Sequence, residues 1–278
     1  MNPLPRAMLR FMVHTLLRPA AALTVALTAA LLAAPALACG PDTDCPVPAG
    51  TYRIDAPEDA TGAILFAHGY RGSAGGTMNN ERLRAMAHDR GAAFVALQSA
   101  DDDWDIEGSP SGGTRDEVAY VLSVRDDVME RLGLEPSDVI MSGFSAGGML
   151  TWTVACDAPD AFAGFAPFSG TFWIEGEPDA CAGPATIRHH HGTSDGVVPI
   201  AGRAIGDTRQ GDVDRVLGAY RAQFTMEPTD PPGIDGLECE AWTGGGARLG
   251  FCLHPGGHTF DPAWLGRFYD DVMAGAEG

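Results

Sequence analysis

The stretch "VIMSGFSAGGML", residues 139–150, sets Ser145 between Gly143 and Gly147, after a β-branched apolar run and before a helix-forming one. A serine hydroxyl is a weak nucleophile at neutral pH. It needs a base to take its proton and an acid to orient that base. A Gly-x-Ser-x-Gly turn between strand and helix suits such a serine, because the strained turn leaves no room for Cβ atoms on either side of it. The first N–H groups of the following helix then point their positive end at the serine oxygen.

The acid and base follow in the order that this chemistry requires. "ATIRHHHG" (185–192) reads as a strand and runs directly into "TSDGVVP", placing Asp195 on the loop at its C-terminal end. The last apolar strand runs into "PGGHTF", placing His258 on a glycine-rich loop before the closing helix. The expected roles are Ser145 as nucleophile, His258 as general base and Asp195 as the orienting acid. Donors for the developing oxyanion are expected at the Tyr70 backbone N–H, presented by the His68–Gly69 turn of "AHGYRGS", and at the Ala146 N–H. This chemistry calls for no metal and no organic cofactor.

Apolar runs alternate with helical stretches along the chain, which predicts an α/β fold with a mostly parallel sheet. Strands are expected at 62–69, 91–98, 138–145, 161–170, 185–192 and 248–254, and helices around 78–90, 114–133, 146–159, 213–224 and 262–275. Thr114 and Glu117 carry the spacing of a capping box at the start of the second helix. His189, His190 and His191 alternate faces on one strand, so at most two share a side and a structural role is expected for them. No metal site is predicted, since the cysteine spacings lack paired C-x-x-C.

Residues 1–38 read as a secretory signal peptide: Arg6, Arg10 and Arg18, an uncharged apolar stretch, then Ala36-Leu37-Ala38. Cleavage after Ala38 leaves 39–278 as a single catalytic domain, secreted or periplasmic. A lipid anchor at Cys39 is the lesser alternative, because Ala36 stands where a lipoprotein signal wants Leu. Loss of the leader, with three arginines and no acid, takes the formal charge from −19 to −22. So acidic a surface argues against nucleic acid or an anionic membrane as partner. The six cysteines, in an oxidising compartment, read as disulfides; fifteen pairings are open, and proximity favours Cys39–Cys45, Cys156–Cys181 and Cys239–Cys252.

The spaced set "HGYRGS", "GFSAGG", "HGTSDGVVP" and "GGHTF" resembles the α/β-hydrolases of the polyhydroxybutyrate depolymerase and feruloyl esterase group, over nearly all of residues 39–278. The resemblance implies a core of about eight strands with helices on both faces, and the same triad and oxyanion donors. Trp104 and Trp173 fall at strand C-terminal ends, where ligands bind in such sheets, and are expected to stack on an acyl or phenolic group. "SADDDWD" departs from the group at the first tryptophan by its acidity. The function expected is ester hydrolysis through an acyl-enzyme on small or oligomeric esters, hydroxyalkanoate or feruloyl. The alternatives are a serine peptidase on the same fold and a non-catalytic binding protein.

Overall fold

In the computed structural model, which describes residues 39–111 and 113–275, the continuous apolar runs become the centre of one sheet. The expected leader lies outside the described residues. The strands are β1 (Cys45–Val47), β2 (Gly50–Asp55), β3 (Gly62–Ala67), β4 (Ala92–Leu97), β5 (Val139–Phe144), β6 (Gly164–Phe168) and β7 (Thr186–Gly192). A two-stranded hairpin, β8 (Ala204–Ile205) with β9 (Thr208–Arg209), stands apart. β10 (Glu227–Thr229), β11 (Glu238–Gly244) and β12 (Ala247–His254) complete the main sheet, in the order β1-β2-β4-β3-β5-β6-β7-β12-β11-β10.

From β4 to β12 the pairing is parallel, and antiparallel strands flank it on both sides. The sheet has ten strands rather than about eight; the excess is β1 and β10, three-residue edges that end the hydrogen-bond ladder early. β3 and β4 are buried at every residue, as a strand covered on both faces must be.

The α-helices among the described residues are α1 (Ala74–Met78), α2 (Glu81–His88), α3 (Glu117–Leu132), α4 (Ala146–Asp157), α5 (Val213–Gln223) and α6 (Pro262–Met273). They fall on the two faces. Val121, Val124, Trp152, Leu217 and Tyr220 bring α3, α4 and α5 into one apolar cluster. Leu83, Met86, Leu265 and Phe268 bring α2 and α6 into the other. α4 is buried on nearly every side, which explains why its sequence shows no polar stripe.

The expected capping box at α3 is not formed. Asp116 is the N-cap, its carboxylate accepting from the Ala119 N–H at 2.9 Å. Glu117 is buried and turned the other way: it pairs with Arg115 at 2.7 Å and accepts from the Asp105 N–H at 3.0 Å. Its carboxylate is spent on folding the 101–116 loop down onto the domain.

Three disulfides join Cys39 to Cys45, Cys156 to Cys181 and Cys239 to Cys252. The last joins directly opposed residues of β11 and β12. Cys156 lies in the last turn of α4, so its bond fastens the end of that helix to the 177–185 loop. Gln223 of α5 fixes the same loop by bonding both the N–H and the carbonyl of Cys181.

Candidate active site

Ser145 sits between the end of β5 and the start of α4 with φ 59° and ψ −119°, a backbone conformation that L residues rarely adopt. The flanking glycines make that turn feasible. A Cβ on Gly143 would stand 2.1 Å from Gly147 O, and one on Gly147 would stand 2.0 Å from Ala67 O. Neither position admits alanine without moving backbone. The strained residue is further tied by its N–H to Phe168 O at 2.9 Å.

Asp195 and His258 meet. His258 Nδ1 lies 2.7 Å from Asp195 Oδ2, while Val197 and Val198 N–H groups donate to Asp195 Oδ1 at 2.9 and 2.8 Å. Asp195 is buried, which alone would raise its carboxyl pKa. The His258 hydrogen bond and the Val198 and Val197 N–H groups outweigh that and hold it below the ordinary carboxylate range. Asp195 is thus ionised and fixes the His258 tautomer, with the proton on Nδ1 and a lone pair on Nε2. The His258 ring lies on Phe144, the residue before Ser145, with centroids 4.6 Å apart. Among the described residues no hydrogen bond yet joins Ser145 Oγ to His258; such contacts often close only around bound substrate.

The two expected oxyanion donors lie at the ends of adjacent strands, Tyr70 after β3 and Ala146 after β5. Neither N–H has a protein acceptor among the described residues. Tyr70's side chain is half exposed, and the group expected to act is its backbone N–H. The His68 side chain pins that backbone; the sequence placed His68 in the turn before Tyr70 but did not indicate this role for its ring. His68 Nε2 accepts from the Ser99 N–H, so Nδ1 carries the proton and donates to Gly69 O at 2.8 Å. A trans peptide sets the Tyr70 N–H opposite the Gly69 carbonyl. Pinning one therefore orients the other. Burial pushes the His68 pKa down, which keeps the ring in the neutral form this geometry requires.

The two tryptophans do not line the site. Trp104 is wholly buried, its indole N–H donating to His68 O at 2.8 Å and its ring lying against that of His68. It has no face left for a substrate and instead supports the turn that leads to Tyr70. The loop that buries it is held by Asp103, which accepts from Ser111 at 2.9 Å and Ser109 at 3.3 Å. Trp173 is 6% exposed and is engaged in a β-bridge with Gln210. The exposed large apolar side chains of the described residues are Tyr70, Ile174 and Val197, on the segments that follow β3, β6 and β7. Ile174 shares the segment after β6 with Trp173, whereas Tyr70 and Val197 follow strands other than the β4 that precedes Trp104.

The other histidines are structural in their contacts. His254 packs on Trp264 and accepts from the Gly256 N–H; His88 faces Asp55 at the surface. His190 stacks between Phe168 and Trp264 with neither ring nitrogen bonded to a described residue. His189 and His191 share the opposite face and touch each other. No group of three or more metal-ligating side chains occurs among the described residues.

A parallel sheet covered on both faces, with an elbow serine at the end of a central strand and its acid and histidine on later loops, defines the α/β-hydrolase fold. Within that class the similarities point to carboxylesterase-type hydrolases. Residues 118–207 match the phospholipase/carboxylesterase family. The chain is 28% identical over 141 residues to NocK of Nocardia uniformis subsp. tsuyamanensis, which is named as an esterase; the match covers 50% of this chain and 41% of that protein. It is 29% identical over 163 residues to the bifunctional acetylxylan esterase/xylanase XynS20E of Neocallimastix patriciarum, covering 58% of this chain and 22% of the other. The chain therefore spans less than half the length of either curated relative. In structure it is similar to the acetyl xylan esterase of Aspergillus awamori, with TM-score 0.59, 13% identity and coverage of 83% and 95%. The Bacillus cereus carboxylesterase superposes with TM-score 0.53, 11% identity and coverage of 80% and 93%. What these relatives share is the carboxylesterase class, coarser than the depolymerase and feruloyl esterase group that the motifs resemble.

Proposed function

We propose that the protein is an exported serine carboxylic ester hydrolase that works through an acyl-enzyme on small or oligomeric esters. The observation that carries this reading is the 2.7 Å bond between His258 and an ionised Asp195, on the loops neighbouring a strained Ser145 and two N–H groups without acceptors among the described residues. His258 Nε2 takes the Ser145 proton as the oxygen attacks the ester carbonyl. The tetrahedral oxyanion is held by Tyr70 and Ala146 N–H groups, and His258 returns the proton to the leaving alkoxide. Water, activated by the same imidazole, then hydrolyses the acyl-enzyme. Asp195 stays ionised throughout and stabilises the imidazolium.

For the substrate, the exposed Tyr70, Ile174 and Val197 favour an apolar acyl or aryl group, and the strongly negative chain favours a neutral ester over an anionic one. Feruloyl and other aryl esters meet both conditions; hydroxyalkanoate oligomers offer an apolar acyl group but end in a carboxylate, and the acetyl esters named in the relatives are neutral but offer only a methyl group. Export is supported by the three disulfides, which form in an oxidising compartment. Turnover of a panel of short p-nitrophenyl esters, methyl ferulate, hydroxybutyrate oligomers and an aminoacyl anilide tests the reading, with fluorophosphonate labelling located by mass spectrometry. Ester turnover with the label on Ser145 is expected. Hydrolysis confined to the anilide would replace it with a peptidase, and an unlabelled Ser145 with no turnover would leave a binding protein.

A further inference from the structure

Three buried side chains outside the triad form a hydrogen-bond chain of fixed polarity. Trp152 Nε1, on α4, is 3.0 Å from His189 Nδ1; His189 Nε2 is 2.9 Å from His191 Nδ1; His191 Nε2 is 2.7 Å from Val198 O. An indole N–H can only donate and a carbonyl can only accept. Each histidine must therefore accept at Nδ1 and donate at Nε2. A neutral ring can do this and an imidazolium cannot. Burial lowers the pKa of both rings, that of His189 most, in keeping with neutral forms.

The chain ends in the turn that carries Asp195. Val198, whose carbonyl takes the last hydrogen bond, gives its own N–H to Asp195 Oδ1, and Val197 does the same. The other carboxylate oxygen faces His258. His191 Nε2 lies 3.7 Å from that same Oδ2, so a ring released from Val198 has the carboxylate as its next acceptor. The groups acting electrostatically on His191 are Asp195, His258 and His254.

We infer that His191, oriented by His189 and Trp152, is a positioning residue for ester hydrolysis: by donating to Val198 O it holds the 195–198 turn and keeps its own N–H off the Asp195 oxygen that His258 uses. The inference rests on Asp195 and His258 being members of the triad. It also ties α4, the helix that follows Ser145, to the acid loop through one continuous set of hydrogen bonds.

The test compares His191→Leu, which keeps bulk and removes the donor, with His191→Gln, whose amide N–H reaches the place of Nε2. In the leucine variant kcat should fall about 10- to 100-fold through misalignment, with KM nearly unchanged. The acid-side midpoint of the kcat/KM profile should move down by about half a unit or more, since a displaced carboxylate favours the imidazolium less. The glutamine variant should recover most of both. A folded leucine variant with wild-type kcat and midpoint would overturn the inference, as would a glutamine variant no better than leucine. If the leucine variant does not fold, Trp152→Phe decides: it should move the midpoint the same way by a smaller amount, and an unchanged profile refutes the chain. Ser145→Ala, assayed in parallel, separates the two levels. Activity retained there would refute the triad itself, whereas an inactive Ser145→Ala beside an unperturbed His191→Leu removes only the positioning role.

Discussion

Replacing His190 with phenylalanine should make the protein markedly less sensitive to acid. The His190 ring is fully buried, stacked on Phe168 at 4.6 Å and 15°, and parallel to Trp264 on its other side. Burial first, and then the Arg188 charge, push its pKa down to about 3. An imidazole in the unfolded chain titrates near ~6.5. Between those two values the unfolded state holds a proton that the native state refuses, so stability falls as pH falls through the unfolded value. Integrating that linkage from pH 7 to pH 5 gives a loss of about 2 kcal/mol from this one residue. His68, His189 and His191, also lowered by burial, act in the same direction, while Glu117, Asp157 and Glu177, raised by burial, act oppositely. Comparing wild type with His190→Phe at both pH values cancels all of them. Phenylalanine keeps the stack and removes two ring nitrogens that have no partner among the described residues, so the variant should be as stable as wild type or more so at pH 7. Urea unfolding at pH 7 and pH 5 measures both quantities, provided the slope m is shared. Wild type should lose about 2 kcal/mol more than the variant between the two conditions. Equal losses would mean that the native ring takes up a proton, and the reasoning from burial would fail.

Ser145→Ala should lower kcat by about 10⁴-fold or more with an unchanged melting temperature, because the triad acts as a unit; a largely active variant refutes the elbow assignment. Trp104→Phe leaves the buried His68 carbonyl without its donor, so kcat should drop roughly tenfold with KM little changed, and stability should fall by about 1–3 kcal/mol; a variant altered only in KM would return the tryptophan to substrate binding. Denatured protein should show no free thiol, and reduction should lower Tm before it lowers activity, since bonds spanning 25 and 13 residues are worth roughly 3 kcal/mol each in the chain-entropy view. Two or more free thiols would contradict this.

The parallel strands could be read from the sequence because burial on both faces writes itself as unbroken apolar runs, as in β3 and β4. β2 could not: "GTYRID" is an edge-side strand, half buried, and its pairing with β4 is a long-range fact with no local signature. The candidate triad was legible through the loops on which its members sit, since strand-end position is a one-dimensional property. Trp104 was misread for the opposite reason. Its place after β4 suggested an open face, and only the fold of the 101–116 loop, closed by Asp103, Asp105 and Glu117, buries it. The capping box failed at the same spot, where a tertiary demand on Glu117 outweighed a local preference. His68, His189 and His191 owe their roles to tautomers, which depend on what stands at each ring nitrogen and have no counterpart in residue order.

β7 and β12 pair in register up to Gly192 and His254, and the ladder continues past their ends: Thr193 N–H bonds His254 O, and Ser194 N–H bonds Gly256 O. The loops bearing Asp195 and His258 are therefore zipped to one another before either residue is reached. Ser145 arrives separately, from β5, with β6 intervening. The acid–base pair is thus one unit, and Ser145 is joined to it less directly, through β6 and through the hydrogen bonds that run from Trp152 on α4 to Val198. A bulky group attached to Ser145 would accordingly push His258 and Asp195 aside as one body rather than part them.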